Sequence, residues 1–154
     1  MKPLKLILLL GLLTAANSSF ATVFYSKSEA MELAFGKGTP VEQLGLFTFY
    51  IGKNQDKITG YAAIETNTVR TKPETLMIVL TPEGELQKVY TLAFHEPPEY
   101  MPPERWFEQL YKRPLADMDF NKGVDGIAGA KLSTRANIDS IRKVMAIYQV
   151  LVKK

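Results

Sequence analysis

The sequence contains no cysteine and a single histidine, His95. The lack of cysteine excludes disulfide bonds, thiolate metal sites and thiol catalysis. One histidine excludes any site that needs two imidazoles, and a serine triad would have to use His95 as its base. No glycine pattern of a nucleophile elbow surrounds any serine. The sequence therefore offers few of the residues that a hydrolase needs. Without disulfide bonds, a chain of this length must be stabilised by its hydrophobic core.

The sequence also lacks a strong excess of charge of either sign. Its 19 basic and 16 acidic residues give a formal charge of +3. Two of the basic residues, Lys2 and Lys5, lie in the N-terminal leader, so removal of the leader leaves 17 basic residues against 16 acidic ones. Because nucleic-acid binding needs a strongly basic face, we expect no nucleic-acid partner.

The first 21 residues have the pattern of a cleaved signal peptide. Two lysines precede an apolar run at 6–13, and the small residues Ser19 and Ala21 fit a signal-peptidase site. The apolar run is too short to cross a bilayer comfortably, which takes about 20 residues. An uncleaved anchor is the alternative. We expect export to the periplasm with cleavage after Ala21, which leaves residues 22–154 as one domain.

The rest of the chain alternates between strand and helix patterns. Strands are predicted at 46–51, 57–69, 76–80 and 85–94, with a hairpin loop at 52–56. Helices are predicted after a capping box formed by Ser26 and Glu29, at 104–112, and from 134 to 153. Residues 76–80 are a continuous apolar run, which is typical of a strand buried on both faces. These elements predict an α+β fold, with an antiparallel sheet of about four strands, flanking helices and a long C-terminal helix.

Segment 124–136 combines small residues with the predicted start of the last helix. Small residues let a ligand approach the backbone closely, and the free N–H groups of a helix start favour an anion such as phosphate. The alternative is a tight loop in which Ser133 or Thr134 is the N-cap of the helix. The residues alone leave both interpretations open.

The same segment resembles the flavinylation motif of FMN-binding domains, in which an aspartate and then Ser/Thr-Gly-Ala-Thr precede a helix. The matching positions are Asp125, Gly129, Ala130, Ser133, Thr134, Arg135 and Ala136. Stretches 60–62, 69–74 and 94–100, with Trp106, are similar to standalone members of that family. Glu96 and Pro98 are similar to the Glu-Thr-Pro motif of subunits of sodium- or proton-coupled quinone and ferredoxin oxidoreductases, although Glu99-Tyr100-Met101 replaces the Gly-Leu-Gly found there. The resemblance covers most of the chain from Gly60 onward.

Two positions depart from the family motif. Ala128 stands where serine or threonine is usual, and Lys131 stands where the family has its acceptor threonine. In the family a flavin transferase moves FMN from FAD onto that threonine hydroxyl as a phosphoester, which lysine cannot form. Three outcomes stay open: Lys131 pairs with the phosphate of noncovalent FMN, the domain has lost its flavin, or Ser133 or Thr134 is modified instead.

The resemblance implies an exported one-domain electron carrier that uses FMN, rather than an enzyme with its own substrate. Its partner would be a redox protein or a membrane electron-transport complex, and association with the membrane is compatible with either. The alternative is a flavin-free module that kept the fold to bind a partner or to act as a scaffold. The residues that the resemblance places at the flavin are Arg70, Glu96, Asp125, Gly129, Ala130, Lys131, Leu132, Ser133 and Thr134.

Three further candidates have a functional and a structural interpretation. His95 beside Glu96 could form a metal or proton-transfer pair, or it could be a structural loop histidine. Arg70 and Lys72 could contact an anionic ligand, or they could be solvated charges at a strand end. Aromatic residues of the proline-rich region, Tyr100 and Trp106, could stack on an isoalloxazine ring or belong to the core.

Overall fold

A single antiparallel sheet holds the strands of this computed structural model, which describes residues 22–39, 41–44 and 47–153. The strands are Thr22–Val23 (β1), Val41–Leu44 (β2), Phe49–Asn54 (β3), Lys57–Thr68 (β4), Pro73–Leu80 (β5) and Leu86–Phe94 (β6). They lie in the order β1-β6-β5-β4-β3-β2, so the sheet follows chain order apart from β1. The helices are Lys27–Phe35 (α1), Glu104–Phe107 (α2) and Lys131–Leu151 (α3), with short 3₁₀ turns at Pro98–Tyr100, Glu108–Leu110 and Leu115–Asp117.

The α+β prediction is confirmed, with a long C-terminal helix on an antiparallel sheet. The predicted number of about four strands is too low, because the described residues form five strands of four residues or more and the two-residue β1. Both missed strands, β1 and β2, lie at the edges of the sheet. The predicted signal peptide lies outside the described residues, and no helix within the described ranges is long and apolar enough to span a membrane.

Local signals account for the first helix. The Ser26 hydroxyl accepts a hydrogen bond from the Glu29 N–H at 3.3 Å, and the Glu29 carboxylate accepts one from the Ser26 N–H at 2.7 Å, which confirms the predicted capping box. The hydrogen bond from the Ser26 N–H is the main cause that lowers the pKa of Glu29. Gly36 ends the helix with a φ of 92°, which favours glycine.

The hairpin between β3 and β4 is tighter than the sequence predicts. Asn54 pairs directly with Lys57, so only Gln55 and Asp56 form the turn and the predicted loop at 52–56 is wrong. Gly52 belongs to β3, where it pairs with Gly60 of β4. Glycine is needed there because the ring of Phe35 covers this position and would overlap a Cβ. The backbone therefore continues in extended form where the sequence indicates a loop.

The sheet buries a different core on each face, and β5 contributes to both. Leu76, Ile78 and Leu80 face the larger core under α3, whereas Met77 and Val79 face the smaller core under α1. The apolar stripe of α3 completes the larger core with Ile138, Ile141, Val144, Met145 and Tyr148. The predictions of a two-sided buried strand and of an apolar helical stripe are confirmed.

The predicted helix at 104–112 forms only one α-helical turn before a 3₁₀ turn. Its apolar side chains Trp106, Phe107 and Leu110 are buried in the larger core, as the spacing predicts. Lys112, with a φ of 60°, lies beyond the end of this element. The proline-rich region therefore supplies core side chains from a short and tightly turned segment.

Candidate functional site

The loop before α3 is held in place by its backbone. The indole N–H of Trp106 donates to the Asp125 carbonyl oxygen at 2.6 Å, and the Asp125 N–H donates to the side-chain oxygen of Gln109 at 2.7 Å. Trp106 is buried, so it belongs to the core, in agreement with the structural interpretation. The Asp125 residue is exposed, so its carboxylate faces solvent at the start of the loop.

The turn into α3 uses glycine for its conformation. Gly129 has a φ of 79°, in the left-handed region that favours glycine, and a Cβ there would meet nothing within 4 Å. The next residue, Ala130, is buried and is the N-cap of α3, but no side chain caps the helix. The predicted capping role of Ser133 or Thr134 is therefore wrong, because α3 begins at Lys131 and both residues lie inside its first turn.

The first turn of α3 divides its side chains between solvent and core. Lys131 is exposed, with its ammonium 5.7 Å from the ring centroid of Phe120, and Leu132 is 55% exposed. Ser133 and Thr134 are buried, and the Thr134 hydroxyl donates to the Lys131 carbonyl oxygen at 2.9 Å. A positive charge on the outside of an uncapped helix N-terminus is an arrangement suited to an anion.

Glu96 organises the loop that joins β4 to β5. One of its carboxylate oxygens accepts hydrogen bonds from the Thr71 N–H at 2.6 Å, the Lys72 N–H at 2.9 Å and the Thr71 hydroxyl at 3.1 Å. The Thr71 N–H is the largest cause that holds the pKa of Glu96 below its ordinary value, and the charge of Arg70 adds to it. Arg70 is exposed, and its guanidinium lies 4.3 Å from the centroid of the Tyr100 ring. Glu96 therefore acts here as a loop-fixing carboxylate.

The two groups of predicted site residues lie at one end of the sheet. α3 and β4 run antiparallel to each other. Ser140 of the helix contacts Asn67 near the end of β4, whereas Tyr148, later in the helix, contacts Tyr61, earlier in the strand. The N-terminus of α3 therefore lies at the end where β4 joins β5, the end that also carries Arg70. Among the described residues, however, no hydrogen bond or ion pair joins Arg70 or Glu96 to segment 125–134.

A group of buried polar residues between α3 and the sheet was missed by the sequence analysis. We call Asn67, Glu74, Ser133, Asn137 and Ser140 the Glu74 cluster. The Asn67 amide donates to the Ser140 hydroxyl at 2.7 Å and to the Ala136 carbonyl oxygen at 3.4 Å. Burial raises the pKa of Glu74 to about 8, although the nearby Asn137 side chain partly opposes this shift. The sequence signal was present, because Ser133, Asn137 and Ser140 recur at four- and three-residue spacing on one face of α3.

No group of three or more His, Asp or Glu side chains within the described ranges could hold a metal ion. His95 is half-buried, and its backbone N–H donates to the Pro73 carbonyl oxygen at 3.2 Å. The described contacts of His95 are therefore those of a residue that extends the pairing between β5 and β6.

A cavity of apolar character lies beside β1, at an edge of the sheet. Its lining includes Phe24, Tyr25, Tyr90, Met101 and Phe107. Neighbouring apolar side chains at the start of the described chain are unusually accessible, and Val23 is 68% exposed. An exposed apolar edge of this kind is a feature of protein interaction sites.

Comparison with known proteins leaves the family open. No protein-family model matches the chain, and no curated protein matches it either. Function must therefore be inferred from the residues, from their geometry and from the resemblance of segment 124–136 to a flavinylation motif.

Proposed function

We propose that this protein is an exported FMN-binding-type flavodomain, a one-domain electron carrier that holds FMN without a covalent bond. The observation that carries the proposal is the uncapped N-terminus of α3, with the exposed Lys131 as its first residue. A helix N-terminus supplies free N–H groups and a positive dipole end, and a lysine ammonium adds a point charge for phosphate. The resemblance to FMN-binding domains falls on this segment.

The donors of the α3 start fit the phosphate of FMN. Gly129 turns the backbone without placing a side chain over the helix start, and Lys131 lies on its solvent side. When bound, the isoalloxazine ring supplies the redox chemistry, and the protein supplies binding and orientation. Arg70, exposed at the same end of the sheet, is a second cation for an anionic ligand.

The noncovalent mode follows from the side chains that are present. Lys131 offers no hydroxyl for a phosphoester, although it lies at the accessible first position of α3. The remaining hydroxyls, those of Ser133 and Thr134, belong to residues that are 1% and 0% exposed. A transferase would have to open the first helical turn to reach either of them, which argues against modification at these positions.

A flavin-free interaction module is the second candidate function. It is favoured by the exposed apolar residues Val23, Phe24 and Tyr25 at the β1 edge of the sheet. A domain that binds no flavin does not need the acceptor threonine, so the lysine at position 131 also agrees with this alternative. Under this alternative the fold is kept as a scaffold and its partner binds at the β1 edge of the sheet.

Ligand binding separates the two candidates. We expect the purified protein to bind FMN more tightly than riboflavin, because only FMN carries the phosphate. Lys131→Met should weaken FMN binding about 10- to 100-fold, the range for a lost charged contact, with little effect on riboflavin. Lys57→Met is the matched control, since this exposed lysine lies at the opposite end of β4. Calorimetry with both flavins measures all four combinations.

Covalent labelling gives an independent readout. Co-expressed with a flavin transferase in the periplasm, the natural protein should gain no covalent FMN, whereas Lys131→Thr should become heavier by one FMN after denaturation. A covalent flavin on the natural protein would contradict the proposal. Absence of FMN binding by the natural protein, together with failure of Lys131→Thr to flavinylate, would favour the flavin-free module.

A further inference from the structure

Six side-chain atoms of the Glu74 cluster are buried without a hydrogen-bond partner. They are Asn67 Oδ1, both carboxylate oxygens of Glu74, Ser133 Oγ, and Asn137 Oδ1 and Nδ2. Buried polar groups are almost always hydrogen-bonded, since each unpaired one costs about 1–3 kcal/mol. An ionised Glu74 would therefore be a buried charge without a hydrogen-bond partner, which is a costly state of the carboxyl group.

The orphan atoms belong to one contiguous cluster. Asn67 and Glu74 are directly opposite each other in the ladder between β4 and β5, so their side chains lie on the same face of the sheet. The Asn67 amide reaches Ser140 and Ala136 of α3. Asn137 lies close enough to Glu74 to lower its pKa, although no hydrogen bond of ordinary geometry joins the two side chains. Ser133 is one helical turn before Asn137, on the same face of α3.

Counting hydrogens shows what the cluster lacks. The Ser133 hydroxyl and the Asn137 amide offer three hydrogens, whereas four of the five orphan oxygen atoms carry no hydrogen if Glu74 is ionised. One proton on Glu74 turns an acceptor into a donor, so that four hydrogens face three acceptors. Hydrogens then outnumber the acceptors that need them, and no charge is left in the core.

We propose that Glu74 carries a proton in the folded protein and that this proton controls the docking of the N-terminal half of α3 on the sheet. With the proton present, the Glu74 cluster is neutral and hydrogen-bonded, and the first turns of α3 lie against β4 and β5. With the proton lost, an unpaired carboxylate remains under α3, and the helix start is released. This proposal is independent of the flavin proposal, although both concern the same end of the helix.

Within the described part of the chain, no charged side chain offsets the burial of Glu74. Burial raises the pKa of Glu74, and the Asn137 side chain lowers it. The charged and titratable groups on the elements around Glu74 are Glu65 on β4, Arg70 and Lys72 in the following loop, His95 and Glu96 after β6, and Lys131, Arg135, Asp139, Arg142 and Lys143 on α3. Glu65 is paired with Lys143 at 2.6 Å, and Glu96 is bound to the loop.

The pH dependence has a definite sign. The folded-state pKa of Glu74 is raised to about 8, above the ordinary value of 4.5 that applies to the unfolded chain. The folded protein therefore holds a proton that the unfolded chain releases between these two values. Stability from this group is complete below about pH 4.5, falls as the pH rises, and is lost above about pH 8. Each pH unit in this window should raise the unfolding equilibrium constant about tenfold.

Denaturant unfolding of the protein and of Glu74→Gln from pH 5 to pH 9 tests the proposal. Glutamine keeps the shape and stays neutral, so its variant should lose the dependence of stability on pH through this window. Glu65→Gln is the matched control, because Glu65 lies on the neighbouring strand and pairs with a lysine; it should keep the wild-type slope. At pH 9, hydrogen exchange of amides 134–140 should be faster in the wild type than in Glu74→Gln, with amides 144–151 unchanged.

Direct observation of the carboxyl group keeps the test independent of the variant's folding. Infrared spectra of the natural protein at pH 6, with isotope-labelled glutamate, should show a buried protonated carboxylic acid that disappears near pH 8. Only ionised carboxylates at pH 6, or equal pH slopes in the wild type and Glu74→Gln, would overturn the proposal. Stabilisation of the wild type by sodium or calcium ions at pH 8, absent in Glu74→Gln, would overturn it in favour of a bound cation.

Discussion

The two halves of α3 pack against the same sheet with different kinds of side chain. In the C-terminal half, Ile141, Val144, Met145 and Tyr148 are buried against apolar residues. In the N-terminal half, the buried residues include Ser133, Thr134, Asn137 and Ser140. The buried face of the C-terminal half is apolar, whereas the N-terminal half places polar groups where apolar ones would be more stable. Departures of this kind concentrate where a protein binds or switches, and both of our proposals concern that half.

Tyr148 shows how firmly the C-terminal half is held. Its ring packs edge-on against Tyr61 with centroids 5.2 Å apart, and its hydroxyl donates to the Pro82 carbonyl oxygen at 2.6 Å. The ring also covers Gly84, where a Cβ would overlap it and where φ is 86°. This end of α3 is therefore fixed to the turn between β5 and β6 by packing and by a hydrogen bond together.

The largest expected change in stability comes from substitutions in the apolar, C-terminal half of α3. Ile141→Ala should lower the free energy of unfolding by about 2–5 kcal/mol, because it removes a fully buried side chain and leaves a cavity. Leu151→Ala, on the same helix but 41% exposed, should change it by less than about 0.5 kcal/mol. Denaturant titration of both variants checks the difference, and equal losses would show that the stripe is not the anchor.

An intermediate effect is expected in the polar half. Asn137→Ala removes one member of the Glu74 cluster and leaves other polar atoms unpaired, which should cost about 1–3 kcal/mol at pH 6. Combined with Glu74→Gln, it should give a coupling energy of about 0.5–3 kcal/mol in a double-mutant cycle, since the two side chains interact. Strictly additive losses would mean that the two residues do not share a network.

The smallest effect is expected at the boundary between the halves. Lys143 pairs with Glu65 at 2.6 Å, but its side chain is 54% exposed. Lys143→Met should therefore change stability by no more than about 1 kcal/mol, and the difference from the wild type should shrink in about 1 M salt. A loss as large as that of Ile141→Ala, or one unaffected by salt, would show that this ion pair is part of the buried network.

The main elements of the fold could be predicted because their signals are local. The apolar run at 76–80 and the stripe from Ile138 to Tyr148 each contain enough residues to fix an element and its buried face. The edge strands β1 and β2 could not be predicted, since two and four residues carry too little pattern and are paired by their neighbours. The start of α3 was placed at Thr134 because Ser133 and Thr134 are good capping residues, but the turn at Gly129 begins the helix at Lys131.

The candidate site was predicted only in part, for a comparable reason. Lys131 lies in a segment whose small residues and nearby helix start the sequence indicated, although the sequence placed it before the helix rather than at its first residue. Glu74 stands just after Pro73 at the start of a strand, where a carboxylate is normally solvated, but the folded chain buries it completely. Its partners Asn67 and Asn137 come from two other elements, so no single stretch of sequence brings the Glu74 cluster together.

The chain order of the sheet has a consequence for the way the protein folds. From β2 to β6 every ladder joins consecutive strands, so these pairings close short segments of chain. The docking of α3 is different, because Asn67 and Ser140 are separated by 73 residues. Closing such a long loop costs more conformational entropy, and this cost is met before the stabilising contacts form. Long-range docking of this kind therefore slows folding. We therefore expect the meander to form before α3 docks and the apolar face beneath the helix to be exposed to aggregation during that interval.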